Sequence, residues 1–230
     1  MKRIVIGVVI LIGITLFYVS AVSATITTGF IFEPLTPEKT EQISESMNFV
    51  LENEFQYTGK IKCFDIREDG SIIVGFSNSN QKTIGVFSNT GAFLRSYTFT
   101  LDGSFGLEWS EDVILVCCSR PQTIVAISDE AELIDAYSIP ICSENAAYWN
   151  EIYKQERIIS GLEYSIENNV GVVLSTSNIT VKDINGVENN IISTSYTSEF
   201  LIALAMCGIL LLCFACALCY VKIKQRDTTR

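Results

Sequence analysis

Three pairs of neighbouring carboxylates are the first residues in this chain whose types could do chemistry: Glu68-Asp69, Glu111-Asp112 and Asp129-Glu130. Calcium takes roughly six to eight oxygens from several groups. Glycoside hydrolysis needs two carboxylates facing each other across a groove. Each pair here is local to one turn-forming stretch, so the pairs read as turn formers, and neither a metal site nor a cofactor is expected. A carboxylate hydrolase would have to gather Glu108, Glu111 and Asp112 in one pocket. The chain contains no histidine, which removes the commonest general base, the commonest zinc ligand and every Ser-His or Cys-His nucleophile pair. No catalytic residue is assigned, and a non-enzymatic role is the expectation.

The other candidates are aromatic and thiol groups. Trp109 lies in the segment GSFGLEW, and Tyr148, Trp149 and Tyr153 lie in YWNEIY. Exposed on one face, these four would form a binding surface; turned inward, they plug the end of a β domain. Of the eight cysteines, Cys63, Cys117, Cys118 and Cys142 fall in the middle of the chain. Four such residues in an exported domain allow three pairings, and free buried thiols are the other reading. Adjacent Cys117 and Cys118 face opposite sides of a strand. Cys213, Cys216 and Cys219 recur every third residue in an apolar stretch, where small apolar side chains pack a helix interface. Asn178-Ile179-Thr180 is an N-glycosylation sequon, relevant only in a eukaryotic secretory pathway.

These residues sit in a chain of uneven composition. Mean hydropathy is +0.33, with the apolar excess at the two ends. Residues 25–199 carry 25 Asp and Glu against 10 Lys and Arg, a net charge of −15. Such a domain repels nucleic acid, which is set aside as a partner. Residues 4–22 are free of charge and follow Lys2 and Arg3. Nineteen helical residues span about 28 Å, enough for a bilayer core. Segment 1–24 is therefore a membrane anchor or, with Val22-Ser23-Ala24 as a cleavage site, a signal peptide. Residues 200–221 form a second membrane segment, whose eleven Leu, Ile, Phe and Val supply about −3 to −7 kcal/mol for insertion. The basic tail 222–230 then stays in the cytoplasm. The expected partners are the lipid bilayer, a helix packing against 200–221, and a protein or small ligand outside the cell.

Between the ends, 25–56 reads as a linker and an amphipathic helix over 37–55. Its N-terminus is marked by Thr36-Pro37, its stripe by Ile43, Met47, Val50 and Leu51, and its acidic face by Glu38, Glu41, Glu45 and Glu52. Residues 57–196 form a β-repeat domain in which one pattern occurs twice at an offset of about forty residues. The first copy runs Cys63 to Thr100 and the second Leu107 to Pro140, with Phe87 over Ile127, Gly91 over Ala131 and Tyr97 over Tyr137. Strands are expected at 60–66, 71–77, 83–88, 92–100, 104–109, 112–118, 122–127 and 131–139. A helical insertion at 141–157 follows. A third, degenerate copy has strands at 157–166 and 170–175 around a turn at 167–169, then 178–183 and 187–193, with Gly186 over Gly91. Ile72-Ile73-Val74 and Val113-Ile114-Leu115-Val116 are apolar on both faces, as in strands covered on both sides.

The segments DGSIIVGF and TIGVFSNTGAFLRSYTF resemble the strand and turn grammar of NHL-like β-propellers. The layout over 57–193, with GKIKCFDI, GSFGLEW and YWNEIY, also resembles membrane-anchored proteins of clostridial gut bacteria. That resemblance implies a mainly β extracytoplasmic domain, propeller-like or an open β-meander of about three repeats, and implies no functional residues. The reading is an integral membrane protein whose β domain binds, scaffolds or senses. The alternatives are an accessory subunit of a membrane complex or a carboxylate-based extracytoplasmic hydrolase.

Overall fold

A computed structural model describes residues 26–54, 59–171, 174–197 and 204–214. In chain order, a short strand β1 (Glu33–Pro34) precedes helix α1 (Pro37–Met47) and strand β2 (Val50–Glu52). Four strands follow: β3 (Ile61–Ile66), β4 (Ile72–Asn78), β5 (Gln81–Phe87) and β6 (Phe93–Thr100). Four more repeat them: β7 (Phe105–Ser110), β8 (Val113–Cys118), β9 (Thr123–Ile127) and β10 (Leu133–Ser138). Helix α2 (Ser143–Ile152) leads to β11 (Glu156–Ile159), β12 (Leu162–Asn169), β13 (Leu174–Lys182) and β14 (Glu188–Thr197). Residues 204–214 are helical.

The strands form three antiparallel sheets. Sheet I has the order β2-β6-β5-β4-β3, sheet II β1-β10-β9-β8-β7, and sheet III β11-β12-β13-β14. Each contains a four-stranded antiparallel meander. The first two gain a fifth strand on the outer edge from the segment that precedes them. The added strands sit in one register: Leu51 lies opposite Tyr97 in sheet I, and Pro34 lies opposite Tyr137 in sheet II. An exposed sheet edge presents unpaired N–H and C=O groups, and these two short strands cover it.

The sequence equivalences hold at the turns. Ser88, Ser128 and Asp183 each open the turn between the third and fourth strands. In all three turns the carbonyl of the opening residue accepts an N–H three residues on, from Gly91, Ala131 and Gly186. The opening side chain also accepts two further N–H groups: Ser88 from Thr90 and Ala92, Ser128 from Glu130 and Glu132, Asp183 from Asn185 and Val187. Gly91, Ala131 and Gly186 all have φ near the left-handed region, at 78°, 67° and 80°. Two of the three positions carry glycine because a Cβ is costly there.

Packing follows the two-residue period of the strands. Ile73, Ile84, Val86, Tyr97 and Phe99 face Leu107, Ile114, Val116 and Val125 in a core between sheets I and II. The opposite side chains of sheet I, Phe64, Ile72, Val74 and Phe76, meet Tyr164, Ile166, Ile179 and Ile192 of sheet III. Sheet I is thus the middle layer, apolar on both faces. The other face of sheet II, with Leu115, Cys117, Ile124 and Ala126, is covered by Ile26, Phe30 and Ile152 of the N-terminal arm and α2. Cys117 and Cys118 do point to opposite sides, into the third and first cores. No sheet closes into a barrel.

Three expectations change. The helix expected over 37–55 ends at Met47. Asn48 adopts a left-handed conformation (φ 47°) and donates its N–H to the Ser44 carbonyl, a helix stop. Val50, Leu51 and Glu52 then satisfy the edge of β6, while Ile43 and Met47 keep the expected contact with the β core. The single strand expected over 157–166 is a hairpin, because Ser160 and Gly161, with φ of 52° and 79°, reverse the chain between Ile159 and Leu162. Strand β12 runs on through 167–169, so the turn expected there is absent, and β13 absorbs 178–182.

Among the described residues no helix is long and apolar enough to cross a membrane. Segment 4–22 and half of 200–221 lie outside the described residues, as do Cys216 and Cys219; the described part, 204–214, is exposed throughout.

Candidate functional site

The first strands of sheets I, II and III, β3, β7 and β11, approach one another beside α2. A cleft of about 550 Å³ opens there, lined by Asp65, Glu108, Trp109, Tyr148, Arg157 and Glu163 among others. A second hollow of about 870 Å³ shares Asp65, Glu108 and Trp109 and continues past Arg67 to Glu111 and Asp112.

Asp65 is the hub. Its Oδ2 accepts the backbone N–H of Trp109 at 2.8 Å, and its Oδ1 accepts Arg157 Nε at 3.3 Å. Both side chains of this ion pair are only 16–17% exposed. Burial pushes the Asp65 carboxyl above its usual range, against the lowering pull of the Trp109 N–H and Arg157. The guanidinium of Arg157 also donates to the carbonyls of Ile152, Lys154 and Glu156. It therefore ties the end of α2 to sheet I, and it stands 5.6 Å over the Phe64 ring.

Glu108 is held from both sides. Thr28 Oγ1 donates to Oε2 at 2.6 Å, and Tyr148 Oη donates to Oε1 at 2.5 Å. Burial raises its carboxyl, and the neighbouring Asp65 charge raises it further, against those two donors. Tyr148 is itself pushed well above the ordinary phenol value, first by burial and then by Glu108. The close seating needs small partners: a Cβ on Gly29 would run into the Tyr148 ring, and one on Gly106 into Ile152.

Trp109 separates the two hollows. The Arg67 guanidinium lies 4.9 Å from its ring centroid, and Arg67 also pairs with Asp69 and Asp112. Among the described residues, Trp109 Nε1 is a buried side-chain nitrogen without a hydrogen-bond partner.

The four aromatics singled out from the sequence divide. Trp109 and Tyr148 line the cleft. Trp149 packs edge-on against Phe30, 4.8 Å between centroids, and stacks on Tyr153 at 5.5 Å, so this pair caps the outer layer of sheet II. Tyr153 borders a separate hollow with Phe105. Glu108, Glu111 and Asp112 all line the second hollow; Glu108 also lines the cleft, whereas Glu111 and Asp112 are exposed at the β7–β8 turn, Asp112 paired with Arg67. The acidic turn residue Asp129 likewise pairs with Arg95. Asp65, Arg157 and Thr28 carry no sequence signal, since each is a lone polar residue far along the chain from its partners.

Among the described residues the thiols are free. Cys63, Cys117 and Cys118 are buried, and burial raises all three, Cys118 to about 12. Asn178 of the sequon is buried in sheet III, its Oδ1 accepting from Ser193 Oγ at 2.8 Å.

No family model matches the chain, and neither the curated proteins nor the solved structures contain a match to it.

Proposed function

We propose that this is a membrane-tethered protein whose β domain, outside the cytoplasm, binds a ligand in the cleft between its three sheets without transforming it. The three meanders are read as propeller-like blades in an open array, and segments 4–22 and 200–221 as the membrane attachments. The carrying observation is the saturation of the cleft's carboxylates. Both oxygens of Glu108 and both of Asp65 are engaged by donors fixed in the fold. A carboxylate so held is a poor nucleophile and a poor proton shuttle, but it makes a rigid wall. The rim carboxylates Glu156 and Glu163 favour a ligand with a cationic group.

The test is a tryptophan emission titration of the Trp149→Phe protein in detergent with spermine, a lysine-rich pentapeptide and a glutamate-rich pentapeptide. Saturable change with either cationic probe, weakened when Glu156→Gln and Glu163→Gln are added to the same Trp149→Phe background, supports binding. A flat response to all three sinks the reading. The hydrolase alternative is favoured by one feature, the elevation of both Asp65 and Glu108, each chiefly by burial, within one cleft. It predicts turnover of a glycoside that Glu108→Gln abolishes.

A further inference from the structure

Among the described residues, the outer edges of sheets I and II are covered by added strands in the same register, and the outer edge of sheet III is not. Pairing places Ile179 opposite Ile192, the counterpart of Ile84 opposite Tyr97 and Ile124 opposite Tyr137. Leu51 lies beside Tyr97 and Pro34 beside Tyr137. Beside Ile192, β14 is the last strand of its sheet. It is ten residues long, longer than β6 or β10. Such an edge is a template for another strand.

We propose that the β14 edge, centred on Ile192 and Ser193, receives an extended, basic segment of another polypeptide as a fifth strand of sheet III. The side-chain pattern of that segment follows from the pleat. A residue beside Ile192 faces the buried side between sheets I and III and is apolar; a residue beside exposed Ser193 faces water and is polar. Its charge follows from the rim. Lys182 is directed to Glu163 at 4.0 Å, while Glu188 at the start of β14 appears in no ion pair among the described residues. Lysine or arginine at the polar positions would answer Glu188 on the edge strand itself. A second copy fits poorly. Two β14 strands pair most readily antiparallel, which sends the residues after Thr197 in opposite directions, whereas the membrane reading carries both chains into one bilayer. The proposal is independent of the cleft.

The experiment uses the full chain in two settings. First, a photo-crosslinking residue replaces exposed Ser193 in native membranes, and the joined peptides are sequenced. Second, amide exchange of β14 is compared in membranes and in detergent, where the peptide acetyl-KIKIK-amide and its glutamate counterpart acetyl-EIEIE-amide are added. The expected results are a cross-link to an alternating basic segment of another protein, and at least fivefold slower β14 exchange in membranes than in detergent. The lysine peptide, and not the glutamate one, partly restores that protection. Ser195→Lys, with the cross-linking residue kept at position 193, should lower the cross-link yield at least fivefold, with β4 and β5 amides still protected as proof of folding. A cross-link to β14 of a second copy overturns the proposal. So does equal β14 exchange in both settings without a cross-link.

Discussion

Tyr148 donates its phenol proton to Glu108 at 2.5 Å, tying helix α2 to strand β7 across forty residues of chain. With Thr28 on the other oxygen, the same carboxylate joins the N-terminal arm, sheet II and the helix. Because burial raises Glu108, the folded protein holds that proton more tightly than the unfolded chain does. Its contribution therefore favours folding as pH falls toward the ordinary glutamate value of 4.5, and is lost as pH rises through the raised value. Glu108→Gln keeps an acceptor for one of the two hydroxyls, offers its amide N–H to the other, and removes the charge. It should equal or exceed the parent in stability at pH 8, and the advantage should vanish near pH 5. Urea unfolding of both proteins across that range measures the difference. An advantage that grows toward pH 5 would contradict the assignment.

Arg157 and Asp65 are a nearly buried pair. Replacing Arg157 with Met leaves an uncompensated carboxylate and three carbonyls without their donor. The expected loss is about 3 kcal/mol. Asp65→Asn on that background should recover part of it, so a double-mutant cycle over the two positions should give a coupling of about 1 kcal/mol or more. Independent, additive losses would show that the ion pair does not act as a unit.

The three equivalent turns allow a comparison inside one molecule. Ala131 holds a left-handed conformation that Gly91 and Gly186 hold without a Cβ. Ala131→Gly should stabilise the domain by about 0.5–1 kcal/mol. Gly91→Ala should destabilise it by more, since its Cβ would also meet the Ile191 carbonyl of sheet III. Thermal unfolding of both variants checks the order; a stabilising Gly91→Ala would refute it.

The buried thiols predict a labelling pattern. Cys63, Cys117 and Cys118 are shielded and held protonated at neutral pH. Iodoacetamide should leave them unmodified in the native protein and modify all three after denaturation without reductant. Intact mass reads both outcomes. The same spectrum fixes the first residue of the mature chain, Met1 for an anchor or a residue near Thr25 for a cleaved signal. A mass that shifts only after reduction would reveal disulfides instead.

The β strands of sheets I and II were legible because double-faced apolar runs such as Ile72-Ile73-Val74 alternate with turn residues, and burial on both sides permits little else. Helix α1 was read too long because Val50 and Leu51 also fit a helical stripe. The competing demand, the uncovered edge of β6, belongs to tertiary structure. Sheet III is less legible because its strands are polar, and the Ser160-Gly161 turn interrupts a stretch that otherwise reads as one strand. Of the cleft, Trp109, Tyr148 and Glu108 stood out by type. Asp65, Arg157 and Thr28 could not, because their meaning lies in meeting from positions 28, 65 and 157.

The N-terminal strap has a consequence for how the chain reaches this shape. Pro34 must find Tyr137, and Leu51 must find Tyr97. A chain emerging from its N-terminus has these strands in hand long before the edges they complete exist. Loop closure of that length is slow and cannot be rewarded early. Each meander can form from near neighbours, whereas the strap can dock only after β10 has been made. The arm that leads toward the first apolar segment would then be the last part to lock and the first to release.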